Sequence, residues 1–427
     1  MGTRERLWIF ATAMILLLLQ QALGASLSDI FADGVPGYGT QPGVTVQSRA
    51  RPDAETQPIH AGAMLLRPRI EQTLGYDDNV LNGSNRRGSW LTGTSGSLLI
   101  GSGWSRDAFG LFLSAADTRY IGQPTQNRTD GSASVGGSLD IGRDRLTLGL
   151  AHLSQHEDRS ALNALASDRP VALRVDDARL SYTAAFSRLI VIPEAALSAW
   201  HYGDTTVLGQ FARQGYRDRT MLRGGATFRY EFAPLRHAVF VARALSQHYL
   251  DPLPGQPSMN STGYQTLLGL DYDDDTVWRA RFLIGGETRQ FGASQYRSHT
   301  AVIAEGDLTW NPTGMTTVRA SLTRSMEDAA QEGVSGFTYM AGNLRIDHEL
   351  MRDVVINASA GLRHAMFLQG GQQSGGSAGA GITWLFNRYA RVSATYDLNT
   401  AHGSGPLNTA ATGYARDVAL VTVRLGL

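Results

Sequence analysis

Over most of its length the chain alternates apolar and polar residues with a period of two, the pattern of strands rather than helices. Leu66, Pro68, Ile70, Leu74 and Tyr76 share one face, and Arg67, Arg69, Glu71, Thr73 and Asp77 the other, because successive side chains of a strand point to opposite sides. The pattern recurs at Leu146/Leu148/Leu150, Ala178/Leu180/Tyr182, Leu222/Phe228/Tyr230, Tyr264/Leu268/Leu270 and Val354/Ile356/Leu362. Trp278, Ala280, Phe282 and Ile284 face away from Arg279, Arg281, Glu287 and Arg289. The final stretch sets Ala419, Val421, Val423, Leu425 and Leu427 against Thr422, Arg424 and Gly426. An uncharged apolar face backed by a face carrying arginine suits a wall with lipid outside and water inside. A chain ending on such a strand fits a transmembrane barrel, whose last strand must close the cylinder.

Connections alternate between short turns and longer polar loops. Trp104-Ser105-Arg106-Asp107, Gly142-Arg143-Asp144 and Asn311-Pro312-Thr313-Gly314 are examples of the short kind. The longer kind falls near residues 79–88, 121–129, 157–174, 203–214, 250–262, 290–298, 326–336, 368–375 and 399–412. Short periplasmic turns and long extracellular loops are the asymmetry of an outer-membrane barrel. Dividing the chain after Gly62 by roughly 20 residues per strand and connection gives about 18 strands. Sixteen is the alternative, because the stretches near 90–100, 194–202 and 237–245 alternate poorly. The expected fold is an all-β, antiparallel up-and-down transmembrane barrel over residues 63–427. A propeller or β-helix would need a fixed-period motif, which the sequence lacks. Aromatic residues near strand ends (Trp104, Tyr120, Trp200, Tyr202, Phe232, Trp310, Trp384, Phe386 and Tyr389) fit girdles at the two lipid–water boundaries.

The N-terminus changes the picture by adding export. A basic segment containing Arg4 and Arg6 precedes the apolar run Leu7–Leu19, and small residues follow at Ala22, Gly24 and Ala25. Residues 1–24 therefore read as a secretory signal, and residues 25–62, rich in Gly, Pro, Ser and Gln, as a flexible periplasmic leader. Beyond the first two dozen residues no apolar run reaches the ~20 that a membrane helix needs. There is no cysteine, which excludes disulfides, thiolate metal sites and a cysteine nucleophile. A formal net charge of +0 argues against nucleic acid as a partner.

Arg67-Pro68-Arg69 through Leu74-Gly75-Tyr76-Asp77-Asp78-Asn79-Val80 resembles the opening strand and first loop of the putative β-barrel porin type 2 family. Leu308-Thr309-Trp310-Asn311-Pro312-Thr313, with Thr317 to Arg324, resembles that family's turn and next strand, and Trp104-Ser105-Arg106 fits as well. The resemblance implies an outer-membrane protein of a Gram-negative bacterium serving as the exit channel for an exopolysaccharide or oligosaccharide. Its implied partners are outer-membrane lipid, the barrel assembly machinery reading the C-terminal strand, periplasmic polysaccharide-export proteins and the polymer itself. A general diffusion or uptake porin for small polar solutes is the alternative within transport. A non-conducting structural or adhesion barrel lies outside it.

The parity of each strand places Arg67, Arg69, Glu71, Arg223, Arg229, Arg279, Arg281, Glu287, Arg289, Glu305, Asp307, Arg319, Arg345, Arg391 and Arg424 on the lumen face, with Arg179, Arg363, Glu231, Asp347 and Asp397. Two readings compete. The arginine forks could bind carboxylate, sulfate or phosphate groups of a passing solute, or the charges could form a cross-strand ion-pair lattice that stiffens the wall. His152, Ser154 and His156 share a face with Leu148 and Leu150, so they read as a strand rim rather than a hydrolase site, lacking any orienting third group. Asp271 and Asp273-Asp274-Asp275 read as a solvated turn, since neither the glycine nor the closing glutamate of a calcium loop accompanies them. No cofactor, metal or enzymatic activity is expected.

Overall fold

The computed structural model describes residues 34–38, 44–49, 51, 56–274, 277–404 and 413–426. Eighteen long strands close into one antiparallel barrel. The first six are β1 (Met64–Asp77), β2 (Ser89–Ser102), β3 (Ala108–Tyr120), β4 (Arg128–Ile141), β5 (Asp144–His156) and β6 (Ala172–Ala185). Next come β7 (Leu189–Tyr202), β8 (Arg219–Ala233), β9 (Arg236–Tyr249), β10 (Ser261–Asp273), β11 (Trp278–Phe291) and β12 (His299–Thr313). The last six are β13 (Thr316–Glu327), β14 (Phe337–Met351), β15 (Val354–Phe367), β16 (Gln372–Trp384), β17 (Ala390–Ser404) and β18 (Gly413–Gly426). The expected barrel is present, and the strand number is 18 rather than 16. The signal segment 1–24 and the terminal Leu427 lie outside the described residues.

Each strand is hydrogen-bonded to its sequence neighbours, and β18 returns to β1 in register from Arg69↔Gly426 to Asp77↔Val418. Two charge pairs cross this seam on its inner side. Arg416 grips the fully buried Asp77, with Nη2 to Oδ2 at 2.7 Å and Nε to Oδ1 at 3.1 Å. Nearer the periplasmic end Arg424 pairs with Glu71. The Asp417 N–H also donates to Asp78 Oδ1 at 2.7 Å. Closure leaves no strand edge with unpaired backbone groups, the condition for a sheet in hydrocarbon.

The outer face follows the sequence parity. Ile70, Leu74, Leu148, Leu150, Leu268, Leu270, Val421 and Leu425 are exposed there for contact with lipid. Trp104, Phe232, Trp310, Trp384, Phe386 and Tyr389 are exposed around the short-turn end, as a girdle requires. Tyr120, Trp200 and Tyr202 depart from that expectation: they are buried on the lumen side. The same departure explains the weakly alternating stretches. Leu91 and Leu99 on β2, Trp200 and Tyr202 on β7, and Val239, Val241 and Leu245 on β9 are apolar residues on the inner face, so both faces of these strands are apolar. On β9–β12 the inner face has a small core of its own, Val239, Val241, Leu267, Leu283 and Ile303. The wall curls tightly around it at the inward glycines Gly269 and Gly285, where a Cβ would come within 1.8 Å of a neighbouring carbonyl oxygen.

Residues 34–38 and 44–49 are for the most part packed, unlike the flexible leader expected. Val35, Tyr38, Thr45, Val46 and Ser48 are buried inside the barrel, and Ile59–Ala61 folds back on Met64–Leu66 as a short hairpin. Apolar Val35, Tyr38 and Val46 have an inner wall to pack against, which a chain read in isolation does not reveal.

Asp77→Ala strips the buried Arg416 guanidinium of its main carboxylate and lowers stability by about 3–5 kcal/mol. Glu71→Ala, at the more hydrated pair, costs less. Unfolding midpoints in urea compare the two variants, and a smaller shift for Asp77→Ala than for Glu71→Ala would contradict this ordering of the seam contacts.

Candidate functional site

The lumen holds most of the buried polar chemistry, and the strand register places all fifteen of the predicted charged positions on its wall. Around the seam, Arg391 of β17 lies opposite Arg424 of β18, which lies opposite Glu71 of β1. Arg67 and Arg69 share the inner face of β1 with Glu71. Four guanidinium groups thus surround one carboxylate toward the periplasmic end. Arg424 takes that carboxylate, and Arg69 has no carboxylate within ion-pair distance among the described residues.

Elsewhere the lattice reading describes the geometry. Arg229 meets Asp271 at 2.7 Å, and Arg279 meets Asp273 at 2.8 Å. Arg281 stands between Asp271 and Asp307 in register. Arg319 and Arg345 converge on the buried Asp347 at 3.1 and 3.0 Å. Glu287 accepts from Gln265 at 2.9 Å and lies 3.3 Å from Arg289. Glu305 is reached by Arg243 at 3.1 Å, and the same guanidinium also holds Glu194 at 2.9 Å. Arg223, in the extracellular half of β8 between Ala196 and Leu245, is, like Arg69, without an ion-pair partner among the described residues.

Three extracellular loops fold inward and build a crossing. The β5–β6 loop reaches the opposite wall, where the Asn163 N–H donates to Gln373 Oε1 of β16 at 2.8 Å. The Tyr414 hydroxyl of β18 donates to the Ser160 carbonyl at 3.2 Å. Asn163 also joins this loop to the β13–β14 loop, its Oδ1 accepting from the Ala330 N–H at 2.8 Å and its Nδ2 donating to the Asp328 carbonyl at 3.3 Å. The backbone of Asn163 is left-handed, with φ of 77°, a conformation that asparagine tolerates better than most residues. Leu162, Ala329 and Val334 of these loops pack on Phe337, Tyr339, Phe367 and Tyr414 of the wall.

The β13–β14 loop is tied to the other side by charge. Asp328 lies 3.1 Å from Arg219 of β8 and 2.7 Å from Arg289 of β11, and Gln247 of β9 donates to it at 2.8 Å. Burial alone would push its carboxyl up, but Arg219 and Arg289 outweigh that and hold it below the usual carboxylate range. The third loop, β7–β8, supplies Arg217, which lies over the Tyr202 ring and forks onto Glu157 at the root of the β5–β6 loop. Asn163, Asp328, Arg217 with Glu157, and Arg243 with Glu194 were not legible as site residues, since their partners are distant in sequence. Apolar residues inside otherwise polar loops, Leu162 and Val334, are the local signal that such loops turn inward.

The remaining candidates stay bland. His152 and its partner Asp176, 2.7 Å away, are exposed on the outer face near the extracellular rim, with no nucleophile arranged between them. Asp271 and Asp273 are occupied by Arg229 and Arg279, and Asp275 lies outside the described residues. Among the described residues no group of three or more metal-ligating side chains is assembled.

Several solved barrels align with this chain at low identity. A crystal structure of Pseudomonas aeruginosa OpdK with vanillate aligns at TM-score 0.47 and 12% identity, over 85% of this chain and 99% of that one. P. aeruginosa OccK2 (OpdF) in complex with glucuronate aligns at TM-score 0.45 and 13% identity, covering 85% and 98%. A BenF-like porin from Pseudomonas fluorescens Pf-5 gives 0.44 and 10%, covering 85% and 99%. No sequence among curated proteins matches this chain. The family described as putative beta-barrel porin 2 matches residues 51–426, which include every strand of the closed barrel with its charged lumen; the chain belongs to that family and is an outer-membrane β-barrel porin.

Proposed function

We propose that the protein is a passive channel for small polar solutes of negative charge, an uptake porin rather than the exit for a long polysaccharide. The observation that carries this reading is the inward crossing: the β5–β6 loop spans the bore and is fastened to the far wall and to the β13–β14 loop through Asn163. A long polymer needs a continuous wide conduit, and this crossing divides the extracellular half of the lumen. Small solutes need only a gap beside it. Export of an exopolysaccharide, the role implied by the sequence resemblance, is supported less well by such an interior.

The sign of the favoured solute follows from which charges are already paired. Carboxylates of the lattice sit against arginines at 2.7–3.1 Å, so their fields largely cancel. Arg69 in the periplasmic half and Arg223 and Arg363 in the extracellular half have no ion-pair partner among the described residues, which leaves cationic stations in both halves of the path. A lumen with low-dielectric walls focuses such a field and concentrates anions. Guanidinium offers carboxylate or phosphate a two-pronged match. Glycans without charge gain nothing from these stations.

Reversal potentials of purified protein in a salt gradient test the reading. Anion preference is expected for the native channel, and Arg69→Glu together with Arg223→Glu should shift the reversal potential toward cations while the barrel stays folded. A cation-selective native channel, or a bilayer that stays silent, would sink the proposal. Asn163→Ala removes two side-chain hydrogen bonds of the crossing, about 1–3 kcal/mol for the buried groups left behind. It should raise single-channel conductance and its open-state noise; unchanged traces would mean that the crossing does not limit the bore.

A further inference from the structure

We propose that leader residues 34–38 and 44–49 form a tethered constriction that narrows the periplasmic half of the lumen, seated on a floor of glycine in the barrel wall. The floor is made by Gly110 of β3, Gly136 of β4 and Gly149 of β5, all on the inner face. Residues 34–38 lie directly on it. A Cβ at Gly136 would stand 2.0 Å from the Pro36 carbonyl oxygen, one at Gly149 2.6 Å from the Tyr38 ring, and one at Gly110 2.8 Å from the Gly34 carbonyl oxygen. Three adjacent strands thus give up side chains where the leader rests. Glycine in a strand interior weakens it unless another backbone approaches closely, and here one does.

The leader is shaped to match. Gly34 and Gly37 have φ of +99° and +90°, and the Tyr38 N–H donates to the Val35 carbonyl at 3.1 Å, closing a turn. The Tyr38 hydroxyl donates to the Asp177 carbonyl at 3.0 Å, and the Arg179 guanidinium lies 4.7 Å above its ring. Val35 and Tyr38 are each 2% exposed, packed with Phe112, Leu153, Val175 and Trp200.

A second anchor sits on the far side of the bore, at the periplasmic ends of β12–β14. The Val46 N–H donates to Thr317 Oγ1 at 2.9 Å, Gln47 Nε2 to Asp347 Oδ1 at 2.7 Å, and Asn311 Nδ2 to the Val44 carbonyl at 2.9 Å. Arg49 and Arg51 both pair with Glu349. Residues 34–38 and 44–49 thus sit on two nearly opposite walls of the lumen, below the loop crossing. Unlike the barrel strands, residues 34–38 and 44–49 join no sheet ladder. Their attachment is a handful of side-chain contacts, the kind of segment that opens at far lower cost than the wall it rests on. The geometry therefore assigns the leader a narrowing position that the barrel survives losing.

The chain contains no cysteine, so Ala151→Cys creates a single thiol on the inner face of β5, two residues from Gly149 and within the cluster that Val35 and Tyr38 cover. Its rate of labelling by a small charged methanethiosulfonate is measured in the full-length chain, and again with residues 34–51 replaced by an equal length of Gly-Ser repeat. Retention of the barrel is checked by heat-modifiable gel mobility. At least tenfold faster labelling is expected once the leader is replaced; equal rates overturn the proposal. Gly136→Leu in the otherwise native Ala151→Cys chain is a second arm, because its side chain takes the space of the Pro36 carbonyl and should unseat the leader with the same acceleration. An unaccelerated rate in a folded Gly136→Leu barrel likewise overturns it. Both readouts concern access to the wall and are independent of which solutes the channel selects.

Discussion

Closure between the first and last strands is the constraint on which the rest depends. In hydrocarbon an unpaired sheet edge has no water to satisfy it, so β1 and β18 must meet along their length. Their backbone register does this from Arg69↔Gly426 to Asp77↔Val418, and the Arg416–Asp77 and Arg424–Glu71 pairs hold the inner side. The register also decides which residues line the lumen, because a slip of one position would turn every arginine of β18 toward lipid. An even number of strands returns the C-terminus to the side from which the barrel began.

An 18-stranded cylinder is wide enough to leave an aqueous interior. The chain fills much of that space with its own segments rather than with longer wall side chains. Loops come in from the extracellular end and the leader from the periplasmic end, each meeting inward-facing aromatic or apolar wall residues such as Phe112, Trp200, Phe337 and Tyr414. Between them, most charges find partners, some on the same or the adjacent strand and some farther off, as when Arg243 joins Glu194 and Glu305. An unpaired charge in such an interior is costly or functional. That contrast gives Arg69 and Arg223 their weight, although neither is distinguishable in the sequence from the arginines that are neutralised.

The architecture was legible in the sequence because the bilayer forces a simple rule. Alternation at Leu66–Tyr76, Trp278–Ile284 and Ala419–Leu425 identified strands and their faces, and short and long connections distinguished the two ends. The rule failed where the inner face is not wet. Val239 and Val241 look like poor alternation, and Trp200 and Tyr202 look like girdle residues, until the material packed against them is known. Likewise, Gly- and Ser-rich segments read as solvated whether they wave in the periplasm or lie in a lumen. Residues 25–62 read as flexible for that reason, and Asn163 and Asp328 as ordinary loop residues. Inward glycines at 110, 136 and 149 were visible in the sequence, but only the fold shows that they are neighbours.

The account turns on the claim that the interior is narrowed by the chain's own segments, so that the barrel admits small solutes and rejects long glycans. Swelling of proteoliposomes in a graded series of uncharged sugars, from monosaccharide to long oligosaccharide, measures that cutoff directly. Rapid entry of monosaccharides with exclusion of the long members is the predicted result. Free passage of the long oligosaccharides through the native channel would contradict it.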